Sequence, residues 1–229
     1  IGDDGLSLGD RNAPTITYAS LIPEFGIDSS GALVGGMFHD GRAKNIFSQI
    51  SAPLTSPIEM NLPSYEAVIS RVRENRIYVR AFQDIFGKDL FLNNKKAFEA
   101  ILMSLTAYQE TSDFSSFDSK YDRFLKGEEK LSRKEELGRK LFFSPLLNCH
   151  QCHLQDTQEL KEYELFSNYR YFNIGVPINK IVRKKNGLGV NFVDLGLLNN
   201  PIVTDENKAG KFKVPTLRNI AVTGPYMHN

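Results

Sequence analysis

Cys149-His150-Gln151-Cys152-His153 constrains this chain more than any other stretch. It reads C-x-x-C-H, the attachment signal of a c-type haem. Two thiols about one helical turn apart can each form a thioether to one of the haem's two vinyl groups. The histidine that follows is then held beneath the iron as its proximal ligand. These are the only 2 cysteines among 229 residues. A redox dithiol and half of a zinc site are the competing readings. A zinc site needs a second ligand pair, and His39 and His228 lie far apart in the sequence. A thioredoxin-like dithiol does not demand the trailing histidine and belongs to a βαβ pattern that is not visible here. Covalent haem is therefore the reading adopted.

A covalent haem also shapes the fold expected around it, because such a chain wraps the macrocycle with loops. Residues 154–215 are rich in Asn, Gly and Lys and show little periodicity, as that expectation requires. Residues 1–63, rich in Gly, Pro, Ser and Asp, also read as mostly irregular, with short helical turns. Between them the pattern is helical. Ser64 caps a helix expected to carry Val68, Ile69, Val72, Phe82, Ile85 and Phe86, with Gly87 as its stop. Asn94 begins a second, with Ala97, Ile101, Leu102, Leu105 and Tyr108 on one face. Ser132-Arg133-Lys134-Glu135 is a capping box opening a third, ended by Pro145. The class is mainly α, and Lys126–Lys130 is the best linker, a helix-to-helix loop within one domain being its alternative. A net charge of +1 gives no bulk field for nucleic acid or a membrane surface. No apolar run approaches the ~18 residues of a membrane span. Haem attachment of this kind implies export, so the periplasm is the expected compartment, with the signal peptide lying outside this sequence.

Further stretches line up with the haem motif in one order. They are Gly9-Asp10-Arg11-Asn12-Ala13-Pro14-Thr15, Phe38-His39-Asp40-Gly41-Arg42-Ala43, Ser56-Pro57-Ile58-Glu59-Met60, Leu137–Phe143, Phe172-Asn173-Ile174-Gly175-Val176-Pro177, and Lys213–Ile220 running into Pro225-Tyr226-Met227-His228. Each is weak alone, but together they resemble the bacterial dihaem cytochrome c peroxidases and the related methylamine-dehydrogenase maturation enzymes, over essentially the whole chain.

The resemblance implies two cytochrome c-like domains with extensive loops. Residues 1–128 would form the peroxidatic side, without its own haem motif, and residues 129–229 the electron-transfer domain. The second haem would sit on Cys149, Cys152 and His153, and the first motif would precede Ile1, so the chain is expected to be part of a longer protein. Glu59 matches the distal acid that moves a proton between the two oxygens of hydrogen peroxide. Gln49, ten residues earlier, matches a distal glutamine that hydrogen-bonds bound peroxide. Arg42 is expected at the haem propionates, with pairing to Asp40 as the alternative. Asn12, Thr223 and Pro225 match an interdomain calcium site built from an amide, carbonyls and waters. His228 is expected near the same region as a structural or propionate-contacting residue. Implied partners are hydrogen peroxide, a small cytochrome c or cupredoxin as electron donor, and a second copy in a homodimer.

Three departures from the family pattern qualify these expectations. His39 stands where many members have a tryptophan between the haems, and this chain has no tryptophan at all. No histidine occurs in residues 1–38, and Asp3 and Asp4 occupy the loop where a closing distal histidine is usual. A peroxidatic haem that is five-coordinate without prior reduction is therefore expected. The usual methionine ligand of the second haem would lie beyond Asn229, leaving Met227 and Met60 as candidates within this sequence, although methionine is more often core filler. The tyrosine that replaces it in the maturation enzymes would lie there too. Dihaem peroxidase is the leading reading; a protein-modifying oxidase and a monohaem electron carrier are its rivals.

Overall fold

The computed structural model describes residues 2–154 and 163–227. Among them are seven α-helices: α1 (Ile46–Thr55), α2 (Tyr65–Arg73), α3 (Arg76–Phe86), α4 (Asn94–Gln109), α5 (Lys120–Leu125), α6 (Arg133–Phe142) and α7 (Lys180–Lys185). Two short antiparallel hairpins complete the regular structure. One pairs β1 (Gly26–Ile27) with β2 (Leu33–Val34), the other β3 (Tyr171–Phe172) with β4 (Phe212–Lys213). The chain is mainly α, as expected.

Local chemistry sets the helix starts. Asn45, Ser64, Asn75, Asn93, Ser119, Ser132 and Asn179 each turn a side-chain oxygen onto an otherwise unpaired backbone N–H of the first turn. The Ser132–Glu135 capping box forms as its sequence indicates. Two expectations change. The single helix read from Ser64 to Phe86 is broken into α2 and α3, because the Asn75 side chain accepts the Ile77 N–H at 2.9 Å and recaps the chain. Asparagine competes with helix continuation in this way. Residues 1–63 are also less irregular than their composition implies. The ten-residue α1, started by a full capping box at Asn45 and Ser48, runs through Pro53.

The largest core lies in the first half. Ile46, Ile50 and Leu54 of α1 pack with Val68 and Ile69 of α2 and with Ala97, Ala100, Ile101 and Leu102 of α4. Ala97, Ile101 and Leu102 of that face are buried as the periodicity indicates, but Leu105 and Tyr108 towards its end are exposed. The second half depends on loops. The 35–43 loop runs across the β3–β4 hairpin: Lys213 donates its N–H to the His39 carbonyl at 2.8 Å, and Gly35 donates to Tyr169 at 3.0 Å. At Gly41 φ is +68°, and a Cβ there would collide with the Tyr171 hydroxyl and the Phe25 ring. Only glycine meets both demands.

A buried ion pair joins α5 to the C-terminal stretch. The Arg218 guanidinium forks onto both oxygens of Asp122 at 2.9 Å, and its Nε donates to the Glu164 carbonyl at 2.7 Å. Its flat face lies 4.3 Å from the centre of the Phe117 ring. Burial pushes the Asp122 carboxyl up, but Arg218 and Ser119 outweigh it and hold it at about 2. Because the folded value lies below the unfolded one, this pair stabilises fully above about pH 4 and loses that contribution as pH falls towards 2. Arg218→Met should cost about 3–5 kcal/mol by stranding a buried carboxylate. Thermal unfolding at pH 7 checks this, and most of the difference should vanish near pH 2.

Candidate haem-binding and catalytic site

The haem motif is held between two anchors. Asn148, in the left-handed region at φ 53°, turns the chain into a single 3-10 turn over Cys149–Gln151. The His153 N–H donates to the Cys149 carbonyl at 3.0 Å. His150 Nδ1 lies 3.2 Å from the Phe142 carbonyl, which ties the motif to the end of α6. Both thiols are free and half-buried. Burial pushes the Cys152 thiol up, and Cys149 adds to the shift, which keeps it protonated before it reacts.

His153 has the ring orientation that metal ligation through Nε2 needs. Its Nδ1 lies 3.0 Å from the Phe166 carbonyl. A carbonyl can only accept, so Nδ1 carries the proton and Nε2 keeps the lone pair that a metal needs. Burial lowers its pKa, while the Phe166 and Pro215 carbonyls oppose the shift. Two free thiols and an imidazole of fixed tautomer fit a c-type haem. Leu146 and Leu147 beside the motif are exposed, which suits an apolar macrocycle.

Gln49 lies on α1 and Glu59 on the turn that follows it. The Glu59 side chain is exposed, and its backbone is fixed at both ends. Its N–H donates to Ser56 at 3.0 Å, and its carbonyl accepts the Asp3 N–H at 2.7 Å. The stretch carrying Asp3 and Asp4 therefore folds directly onto the Glu59 turn. Asp4 itself caps that stretch, accepting from Leu6 and Ser7. Met60 adjoins Glu59 and is half-exposed, while Met227 near the other end is mostly exposed.

A buried charge network, little signalled by local sequence spacing, ties together stretches far apart in the chain. Asp40, 1% exposed, accepts from Arg11 Nη1 at 2.6 Å and from Arg42 Nη1 at 2.8 Å. Arg42 thus takes the pairing held open as the alternative, and it also stacks 3.7 Å over Phe38. Arg11 forks onto Asp194 as well, with both bonds at 2.6 Å. Burial pushes the Asp194 carboxyl up, but Arg11 outweighs it and holds the group ionised. Lys213 lies next to Asp40, almost fully enclosed, and donates to the Gly36 carbonyl. Burial pushes its amine down to about 7, and Asp40 resists.

His39 Nε2 lies 3.0 Å from the Asn12 carbonyl. The Asn12 amide in turn donates to the Pro225 carbonyl at 3.3 Å. The structure therefore gathers His39, Asn12 and Pro225, while the Thr223 hydroxyl sits 2.8 Å from the Tyr226 hydroxyl. Among the described residues no group of three or more His, Cys, Asp or Glu could hold a metal. His228 lies outside the described residues. Sequence reasoning missed the roles of Arg11, Asp194 and Arg218. Arg11 falls inside a quoted run, but its partners are 29 and 183 residues away, so no local spacing announces them.

Residues 1–130 match the family model described as di-haem cytochrome c peroxidase. The chain is 48% identical over 229 residues to methylamine utilization protein MauG of Paracoccus denitrificans, covering all of this chain and 59% of that protein. It is 25% identical over 225 residues to cytochrome c peroxidase Ccp of Escherichia coli, covering 98% and 40%. The diheme peroxidase BthA of Burkholderia thailandensis superposes with a TM-score of 0.88 at 28% identity, covering all of this chain and 56% of that one. The chain thus spans less than two thirds of the length of these relatives. Asp40→Ala should leave Arg11 half-paired and release Arg42, costing about 3–5 kcal/mol. Urea unfolding checks it, and a loss no larger than that of an exposed pair such as Lys88–Asp84 contradicts the role given to Asp40.

Proposed function

The chain belongs to the di-haem cytochrome c peroxidase family, and on that premise we propose that it is the central part of a dihaem c-type peroxidase reducing hydrogen peroxide to water. One observation carries the reading furthest. The Asp3–Asp4 stretch, which the resemblance places just after the first haem site, folds onto the Glu59 turn. That contact supports a carboxylate at the open iron position, the part the resemblance gives to Glu59.

The haem, when bound, supplies the electron storage and the iron position at which peroxide is reduced. Cys149 and Cys152 would hold one such group, and His153 would bind its iron through Nε2 while Nδ1–H stays on the Phe166 carbonyl. Glu59 takes a proton from the inner oxygen of peroxide and returns it to the outer one, which leaves as water. Gln49, on the helix before that turn, orients the peroxide by hydrogen bonding. Two electrons and two protons per peroxide balance the reaction to two waters. The electrons come from a small cytochrome c or cupredoxin, entering at the haem on Cys149 and Cys152. His39, fixed on Asn12, occupies the position between the two haems.

Two cytochrome c-like domains divided near residue 128, a periplasmic location and a homodimer belong to the same proposal, and no helix of the described residues is long and apolar enough to cross a membrane. So does an interdomain calcium held by the Asn12 amide and the Thr223 and Pro225 carbonyls, of which Asn12 and Pro225 are already adjacent. A second reading, a protein-modifying oxidase, is favoured by the 48% identity to MauG, well above the 25% to the Escherichia coli peroxidase. A carrier with one haem leaves the Glu59 turn without a purpose.

Glu59→Gln should lower kcat/KM for peroxide by about 10²–10⁴-fold, with haem content and visible spectrum unchanged. Stopped-flow reduction of hydrogen peroxide by the full-length, haem-loaded protein measures it. An unchanged rate removes Glu59 from the mechanism.

A further inference from the structure

A cavity of about 200 Å³ opens at the seam between the two hairpins, and the functions above make no use of it. A backbone bridge between Val34, at the end of β2, and Arg170, just before β3, forms that seam. Leu33, Phe172 and Leu197 give the cavity its apolar lining. Leu197 is fully buried and packs with Tyr171 and Val203, so this part of the lining belongs to a packed cluster. The charged lining comes from Arg170 and from Lys208 and Lys211, on the stretch that leads into β4.

Every charged residue of the lining is a cation, although the chain as a whole holds 28 basic and 27 acidic residues. Two of the three already have a carboxylate partner. Arg170 donates from Nε to Asp28 at 2.8 Å and from Nη2 to Ser30 at 3.0 Å, and the Lys208 ammonium stands 3.5 Å from Asp205. Neither acid lines the cavity. Lys211 is half-buried and forms no ion pair among the described residues. Its backbone is fixed on both sides: its carbonyl accepts the Leu197 N–H at 2.7 Å, and its own N–H donates to the Lys208 carbonyl at 3.3 Å. That last bond fixes the backbones of the two lysines relative to each other.

A concavity lined by one sign of charge, with apolar walls, concentrates ions of the opposite sign. Volume sets the size of what enters. The cavity exceeds the ~150 Å³ that accepts a benzene ring, and it is smaller than the ~300 Å³ at which drug-sized sites begin. A bare anion would leave Leu33, Phe172 and Leu197 without a partner, and a neutral ring would leave the lysines without one. We propose that this cavity binds a small organic carboxylate whose apolar body is no larger than a single ring. Lys208 and Lys211 hold the carboxylate by charge-assisted hydrogen bonds, and the body lies against Leu33, Phe172 and Leu197. The site is independent of the haem chemistry.

Benzoate is the probe, titrated calorimetrically into the full-length, haem-loaded protein. Inorganic phosphate and benzylamine are the controls, and the visible spectrum is recorded at each addition. Benzoate should bind once per chain with a Kd of about 1 mM. Phosphate should bind severalfold more weakly, and benzylamine not at all. Raising salt to about 0.5 M should weaken benzoate severalfold, because charges half-open to solvent are screened. Lys211→Met should lower benzoate affinity about tenfold, the loss of one hydrogen bond from a charged donor, while Lys211→Arg should keep most of it. Phe172→Ser should weaken benzoate and leave phosphate unchanged. No benzoate binding up to about 20 mM overturns the proposal. Phosphate binding as tightly as benzoate overturns it too, since the lining would then be an unselective basic patch. So does benzoate binding that survives in Lys211→Met and shifts the Soret band, which would place the carboxylate on a haem iron.

Discussion

The buried Asp40 carboxylate is the constraint on which the mutual placement of three distant stretches depends. It is shared by Arg11 and Arg42, and Arg11 carries the connection on to Asp194. Three stretches far apart in sequence are thereby fixed to one another: the 9–15 run, the 38–43 loop and the loop before the 3-10 turn at Leu197–Asn199. Two carboxylates and one guanidinium at 2.6 Å are strong, directional bonds in an enclosed setting. Removing one member costs more than the pair contributes, because the remainder is left charged and buried. The 38–43 loop carries His39, so the same network sets where that imidazole lies.

Two kinds of order meet in this chain. The first half has an ordinary helical core around α1, α2 and α4. The second half has few regular elements and smaller buried clusters. The haem c that the family implies would account for that contrast. A macrocycle supplies the apolar partner that a helical core would otherwise provide, and the chain needs only loops, tight turns and fixed polar anchors around it. Nδ1 of His153 on the Phe166 carbonyl and Arg218 forked onto Asp122 are such anchors.

The legible parts of the sequence were those with short-range chemistry. The Ser132–Glu135 capping box and the first two turns of the buried α4 face act within a few residues, and both appear as expected. The break at Asn75 was missed because the apolar spacing continues across it, while the asparagine's competition for the backbone is invisible to periodicity. Helix α1 was missed because Pro53 and a polar, glycine-rich surround obscure its cap. The Arg11–Asp40–Asp194 network could not be read at all, since its members are brought together only by the fold. Arg42 shows the same limit from the other side: a guanidinium has several good partners, and the nearer carboxylate took it.

The central claim is that these residues are the middle of a two-haem enzyme in which Glu59 and the Cys149–His153 motif serve different haems. Haem content per chain, by pyridine haemochrome together with intact mass on the protein isolated from its native host, tests it most directly. The account predicts two haems on a chain longer than 229 residues. One haem per chain would contradict it and leave electron transfer as the function.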